Sequence, residues 1–152
     1  MTVDVKICLL HDGAIMPTYA HDGDSGMDLY ATHDVELWPL EATKVFTGVA
    51  FGIPEGYEIQ IRPKSGYSAR GVMASWGTVD GPYTGECVGV LTFIAPESTR
   101  PFKIARGQKI AQAVLAKVAH ARLVQVGKQG DLGETTRGAN GFGSSGLEAP
   151  KP

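Results

Sequence analysis

The chain has 152 residues, the length of one domain with a core large enough to fold unaided, so a second domain is not expected. Its 20 glycines and 9 prolines, with 43% hydrophobic residues, indicate a globular protein of short strands and many turns rather than a disordered or helical chain. The formal net charge is -2, and lysine and arginine form no run. A nucleic-acid polymer or a membrane surface is therefore not expected as a partner, whereas a small anionic ligand is allowed.

The two cysteines and the N-terminal region indicate the compartment. Cys8 and Cys87 form no Cys-x-x-Cys pair and lie in apolar runs, which favours packing over redox chemistry or metal binding and fits a reducing environment. Trp38 is expected in the core. Asp4 and Lys6 interrupt the apolar stretch near the N-terminus, and no segment reaches the about 18 consecutive apolar residues that a membrane helix requires. We therefore expect a soluble, cytoplasmic protein.

Alternating apolar and polar residues predict strands along the first two thirds of the chain. Residues 3–9 alternate as a half-buried strand does. Residues 45–53 and 57–62 alternate in the same way on either side of the turn signal at 54–56, which predicts a hairpin. Residues 87–95 form a continuous apolar run between turn signals, which predicts a central strand buried on both faces.

The segment 109–118 is ambiguous, because its alanines and its apolar spacing also suit an amphipathic helix. Its neighbours, including residues 123–126, are short and strand-like, so we assign a strand. The fold class that follows is all-β, a distorted jelly roll or β-sandwich of short strands. Apolar periodicity ends after Val126, which predicts a β domain over residues 1–126 and a flexible C-terminal arm over 127–152.

Five polar segments that contain glycine stand out from this β pattern. They are 24–29 (DSGMDL), 62–66 (RPKSG), 77–86 (GTVDGPYTGE), 107–112 (GQKIAQ) and 137–146 (RGANGFGSSG). Each alone is explained by a turn, and the last by a solvated tail. The last segment also suits a flat phosphorylated ligand, because glycine lets backbone N–H groups approach phosphate, serine adds donors, arginine forks onto phosphate and phenylalanine can cover a ring.

Taken in order, the five segments resemble the five motifs of the trimeric, all-β dUTP pyrophosphatases, the dUTPases, from about residue 25 to residue 146. The resemblance implies hydrolysis of dUTP to dUMP and pyrophosphate by water attacking the α-phosphorus, with Mg²⁺ bound to the triphosphate. It also implies a homotrimer with shared active sites. A triphosphate carries about four negative charges, which a metal ion and fixed donors must neutralise before an oxygen nucleophile can approach.

The resemblance also implies roles for residues at the base, the sugar and the metal. Asp80 matches the aspartate that activates water, a role that a carboxylate fills by accepting a proton. Tyr83 matches the ring that packs on deoxyribose and excludes a 2′-hydroxyl. The backbone of residues 77–83, with Gly77 and Val79, matches the edge that pairs with uracil. Asp28 matches the aspartate that holds a water on the metal, which suits Mg²⁺ because it dehydrates reluctantly.

Further residues match phosphate contacts or the closing tail. In the second motif Ser65 and Gly66 supply a hydroxyl and a backbone N–H, and Lys64 stands where the family usually has arginine, so a point charge replaces a planar fork. Gln112 matches the phosphate contact of the fourth motif. In the tail, Arg137 matches the γ-phosphate contact, Phe142 the ring that stacks on uracil, and Gly143, Ser144 and Ser145 the terminal phosphate cradle. Pro82 replaces a commonly acidic residue and stiffens the tip of the third motif.

Two alternatives remain open from the sequence. A dCTP deaminase shares the fold and some phosphate motifs but would attack the base, and Glu86 is the residue that keeps this alternative open. The pairing of Asp80 with Tyr83 favours the dUTPase. The second alternative is a non-catalytic dUTPase-like module that binds a nucleotide or a protein. The presence of the residues that match the family's site argues against it: Asp28, Asp80, Tyr83, Arg137 and Phe142.

Overall fold

The computed structural model describes residues 2–75 and 77–140 of the chain. Within that part the chain forms ten short strands and two four-residue helices. The strands are β1 Lys6–Leu9, β2 Met27–Tyr30, β3 Val35–Leu37, β4 Ala42–Gly52, β5 Tyr57–Arg62, β6 Val72–Ala74, β7 Gly77–Val79, β8 Glu86–Phe93, β9 Phe102–Ile104 and β10 Lys109–Lys117. The helices are α1 Ser65–Ser68 and a 3₁₀ helix Gln129–Leu132. Neither is long enough to cross a membrane, and the described residues form no other helix.

The strands form two four-stranded antiparallel sheets and one small pair. The first sheet has the order β1-β4-β8-β6, the second β2-β10-β5-β7, and β3 pairs with β9. Apolar side chains of both large sheets share one core cluster, including Val45, Phe51 and Leu91 from the first and Leu29, Ile59 and Ile110 from the second. This arrangement confirms the expected all-β, jelly-roll-like sandwich.

The hairpin expected from residues 45–62 does not form. Both strands exist as β4 and β5, but they belong to different sheets. The turn between them, closed by a hydrogen bond of 3.3 Å from the Tyr57 N–H to the Pro54 carbonyl, carries the chain from one sheet to the other. The prediction was wrong because alternation shows which face of a strand is buried but not which strand lies beside it.

Strand β8 lies centrally, as expected, between β4 and β6, but it is buried on one face only. Cys87 and Leu91 face the core, whereas Val88 and Val90 are half-buried on the opposite face. Burial raises the pKa of the Cys87 thiol to about 12, and the charge of Glu86 adds to this effect, so the thiol stays protonated in the core.

Two side chains expected to pack are exposed. Cys8 lies on an exposed part of β1, and Trp38 is 46% exposed. Strand β1 also begins at Lys6 rather than at Val3, because only the stretch opposite residues 49–52 of β4 pairs. The apolar composition of these stretches did not distinguish inward from outward positions.

The assignment of residues 109–118 to a strand is confirmed by β10. This strand lies between β2 and β5, and its small residues Ala111 and Ala113 are fully buried there. Residues 123–126 form no strand, and Leu123 is 91% exposed. By the contacts between its residues, the chain divides into two compact units, residues 1–119 and residues 120–152. The boundary at 126 and the flexibility of the arm stay predictions.

Candidate active site

The third motif occupies the edge of the second sheet. Strand β7 pairs with β5 so that Gly77 lies opposite Ile61 and Val79 opposite Ile59. The chain then turns, and a hydrogen bond of 3.0 Å from the Tyr83 N–H to the Asp80 carbonyl closes the turn. Val79 is buried whereas Asp80 is exposed, so the end of the edge strand presents the carboxylate to solvent.

Four of the expected site residues line one pocket of about 420 Å³, namely Gly77, Val79, Asp80 and Tyr83. Its other wall comes from the outer face of the first sheet and includes Lys44, Phe46, Val88 and Val90. An apolar wall with a few polar groups at the rim, at this size, is typical of a small-molecule site. The sequence did not predict this wall as part of a site. The alternation of residues 45–53 predicted only that Phe46 lies on the face opposite Val45.

Two polar side chains that line this pocket, Tyr83 and Glu86, are already hydrogen-bonded within the chain. The Tyr83 hydroxyl donates to the Glu86 carbonyl at 3.1 Å. The Glu86 carboxylate accepts the Gly48 N–H at 2.7 Å, where β4 bulges. Glu86, on which the deaminase alternative depends, is therefore hydrogen-bonded to the backbone of Gly48.

Asp28 is the most buried charged residue of the described chain, at 1% exposure. Its Oδ1 accepts a hydrogen bond from the Lys64 ammonium, and its Oδ2 accepts one from Lys109 at 2.7 Å. Burial alone raises the pKa of Asp28, but the hydrogen bonds and charges of Lys109 and Lys64 outweigh it and leave the pKa below the ordinary 3.8. The same contact raises the pKa of Lys109.

The second and fourth motifs meet around this carboxylate. Lys64 precedes α1, in which Ser65 and Gly66 are exposed. Gln112 lies on β10 opposite both Asp28 of β2 and Arg62 of β5. A second pocket of about 290 Å³ is lined by Lys64, Gly66, Tyr67, Arg70, Gln108 and Lys109. Sequence reasoning missed Lys109, although it is a cation inside the fourth motif, three residues before Gln112.

The two groups of site residues lie apart within one chain. Three strand spacings separate β2 from β7 across the second sheet, which is about 14 Å. Gln112, opposite Asp28, pairs with Arg62, whereas Val79 pairs with Ile59, so Asp80 lies about four residues or about 13 Å further along the strands. The separation of Asp28 from Asp80 is therefore about 20 Å, too far for one metal–triphosphate complex to contact both directly.

The last motif is described only in part. The Arg137 Nε donates to the Asn140 carbonyl at 2.9 Å, and the Gly138 N–H donates to the Thr135 hydroxyl at 3.0 Å. The remaining tail residues that the sequence singles out lie outside the described residues: Phe142, Gly143, Ser144 and Ser145.

The donor set around Asp28 limits how a metal could bind. In residues 2–75 and 77–140, no three His, Cys, Asp or Glu side chains converge as metal ligands. Asp28 is a single carboxylate between two ammonium groups. This set fits Mg²⁺ that is held mainly by other ligands, such as the phosphates of a substrate, because Mg²⁺ in such sites takes only one or two carboxylates from the protein.

Comparisons with known proteins agree with the motifs and the fold. The dUTPase family model matches residues 12–146. A deoxyuridine 5′-triphosphate nucleotidohydrolase of Gloeothece citriformis is 43% identical over 146 residues, covering 94% of this chain and 97% of that protein. The protein of the same name from Thermobifida fusca is 43% identical over 151 residues, covering 97% of this chain and 82% of that protein.

Solved structures extend the agreement to three dimensions. A mutant dUTPase of Staphylococcus bacteriophage 80alpha, with dUpNHpp, matches with a TM-score of 0.86 at 26% identity, over 96% of this chain and 100% of that one. A mutant dUTPase of phage phi11 of S. aureus, described for its coordination of a structural Mg(II) ion, matches with a TM-score of 0.76 at 25% identity, over 84% and 99%. Since sequence motifs, family model and fold all agree over most of the chain, it belongs to the dUTPase family.

Proposed function

We propose that this chain hydrolyses dUTP to dUMP and pyrophosphate through attack of water on the α-phosphorus. The observation that carries the proposal is the pocket in which Asp80 and Tyr83 stand at the end of edge strand β7. The related bacterial proteins named as deoxyuridine 5′-triphosphate nucleotidohydrolases support the reaction, and the phage dUTPases with dUpNHpp support the substrate.

The edge position of β7 accounts for recognition of the base. Strand β7 pairs with β5 on one side and ends the order of its sheet, so its other backbone edge faces away from the sheet. Fixed main-chain donors and acceptors on residues 77–83 can pair with uracil. They reject cytosine, because the wrong edge would leave buried polar groups unpaired. Tyr83 packs against deoxyribose and leaves no room for a 2′-hydroxyl.

Asp80 activates the attacking water. Its carboxylate is exposed at the rim of the pocket and can accept a proton while it orients the oxygen lone pair toward phosphorus. Positioning and electrostatics supply most of the acceleration in phosphoryl transfer, so the placement of this carboxylate at the end of a paired strand matters as much as its basicity.

Asp28, Lys64 and Lys109 form a cluster, the Asp28 cluster, that binds the phosphates. Asp28 would hold one water of a Mg²⁺ ion bound to the triphosphate, and that ion would supply neutralisation of phosphate charge. Lys64 and Lys109 can turn from the carboxylate toward phosphate oxygens, and Ser65, Gly66 and Gln112 add neutral donors. From the tail, Arg137 contacts the γ-phosphate, Phe142 stacks on uracil, and Gly143, Ser144 and Ser145 cradle the phosphates.

A complete site needs more than one copy of the chain. Asp28 and Asp80 of one chain lie about 20 Å apart, so the Asp28 cluster of one copy and the Asp80 turn of another form the working site. We infer a homotrimer with shared sites, which light scattering tests directly. A monomer at working concentration would contradict it. A cytoplasmic location, without nucleic-acid polymer or membrane as partner, belongs to the same proposal.

A substrate panel tests the reaction. Pyrophosphate release from dUTP, dCTP, UTP and dTTP is measured with Mg²⁺ present, and dUTP is expected to react far faster than the other three. Equal rates on dUTP and UTP would refute the proposed discrimination, and ammonia released from dCTP would identify a deaminase instead. Binding of dUTP without turnover would identify a non-catalytic module.

A further inference from the structure

The Tyr83 side chain folds back across Gly85. A Cβ atom added at Gly85 would stand 2.5 Å from Tyr83 Oη, 2.6 Å from Cζ and 3.0 Å from Cε2. Non-bonded carbon atoms attract at about 3.5–4.0 Å, so such contacts are strongly repulsive. The present position of the ring therefore exists only because residue 85 has no side chain.

Backbone conformation does not explain this glycine. The φ angle of Gly85 is not positive, in contrast to Gly48 and Gly56, which adopt left-handed values of 66° and 79°. Gly85 is therefore not required to provide a left-handed backbone conformation. The Tyr83 ring is what an added methyl group would meet.

The hydroxyl of the same ring is held at a fixed point. It donates to the Glu86 carbonyl at 3.1 Å, and Glu86 begins β8. The Glu86 carboxylate in turn accepts the Gly48 N–H at 2.7 Å, at the bulge of β4. The ring is thus located by the space above Gly85 and by a carbonyl whose residue is tied to the first sheet.

We propose that Gly85 is a positioning residue for sugar discrimination. It lets Tyr83 lie across the backbone and reach the Glu86 carbonyl, and so sets the ring at the depth that admits deoxyribose and excludes a 2′-hydroxyl. This inference rests on the proposed contact of Tyr83 with the sugar. It assigns no contact between Gly85 and the substrate itself.

An alanine at position 85 must displace the phenol by about 1 Å to restore ordinary contact distances, which also breaks its hydrogen bond. Without this hydrogen bond, the Tyr83 ring is displaced more easily by a 2′-hydroxyl and packs less well on deoxyribose. For Gly85→Ala we expect the ratio of kcat/KM for dUTP to that for UTP to fall at least about tenfold, because misplacement by 1 Å can change rates by up to about a hundredfold.

The test is a double-variant cycle of Gly85→Ala and Tyr83→Ala, with Thr84→Ala as the neighbouring control. We measure kcat/KM for dUTP and UTP, and the thermal midpoint of unfolding of each variant. Gly85→Ala should lower the substrate ratio in the presence of the tyrosine and leave it unchanged in the Tyr83→Ala background. Thr84→Ala should keep the ratio of the unchanged chain.

The thermal midpoints provide a readout that does not require catalysis. Gly85→Ala should lower the midpoint of the parent but not that of Tyr83→Ala, so the double variant should match Tyr83→Ala alone. A ratio that stays within about twofold for Gly85→Ala, or that falls equally without the tyrosine, would overturn the inference and leave the proposed function intact. A parent chain that does not prefer dUTP over UTP would instead overturn the proposed function and the inference together.

Discussion

Complementation between two inactive variants tests whether the site is shared. Asp80→Asn removes the proposed base, and we expect it to retain nucleotide binding while turnover falls by about a hundredfold or more. Asp28→Asn removes the buried carboxylate without a change in volume. Its partners Lys64 and Lys109 are 24% and 43% exposed, so both can reach water when the carboxylate is lost.

The geometry sets the size of the recovery. If the two groups, about 20 Å apart in one chain, come from neighbouring copies in each site, then about one site in three of every isolated mixed trimer has both groups intact. If each site formed within one chain, every site would carry one defect and the mixture would show only the residual activity of the two separate variants. With a residual activity of about one hundredth for each variant, the two outcomes differ about 30-fold.

The assay is pyrophosphate release from dUTP after the two variants, with different tags, are refolded together and the mixed oligomers are isolated through both tags. Each variant refolded alone serves as the control for residual activity. Isolated mixed oligomers with no activity above these controls would refute the shared site and the distance argument behind it.

Three further predictions use other parts of the chain. Asp28→Asn should unfold at lower denaturant concentration than the parent at neutral pH, and the difference should shrink as pH falls below 3.8 through the lowered pKa of Asp28, because its stabilising charge is then lost. Truncation before Arg137 should keep the circular dichroism spectrum and the oligomer but abolish hydrolysis of dUTP. Gly48→Ala should destabilise by about 1–3 kcal/mol more than Gly56→Ala in denaturant unfolding, because both have positive φ but only position 48 is crowded, with its added Cβ 2.6 Å from Ala14.

Each of these predictions has a distinct contrary result. A stability difference for Asp28→Asn that is constant from neutral to acidic pH would mean that the lysine contacts do not stabilise the charged form. Normal hydrolysis of dUTP by the truncated chain would show that the last motif is not needed for activity. Equal destabilisation by the two glycine variants would show that the bulge can relax away from Ala14.

The turn of the third motif could be predicted because local sequence decides where a turn presents its side chains. Residues 77–83 contain their own turn chemistry, and the structure brings Gly77, Val79, Asp80 and Tyr83 to one pocket. Strand β10 was harder to predict from the sequence, because its alanines favour a helix by intrinsic propensity. Its place between β2 and β5 overrode that preference, because small side chains fit where both faces are covered.

What the sequence could not show depends on strand partners far along the chain. Lys64 and Lys109 reach Asp28 only because β10 pairs with β2 and because α1 follows β5 in the same sheet. The sequence around residue 28 predicts neither the contact with Lys64 nor the contact with Lys109. The expected hairpin of β4 and β5 failed for the same reason, since its turn redirects the chain without selecting the neighbour of either strand.

The position of β10 also bears on the order in which the molecule folds. Its Gln112 pairs with Asp28, 84 positions earlier, so the second sheet closes only after a long loop has been drawn in. During synthesis β2 and β5 therefore wait without their shared neighbour, and their unpaired edges are exposed to other chains. The cluster that joins Asp28 to Lys109 forms at that same late step. The contact between Lys109 and Asp28 therefore depends on the pairing that joins the two most distant strands of this sheet's sequence order.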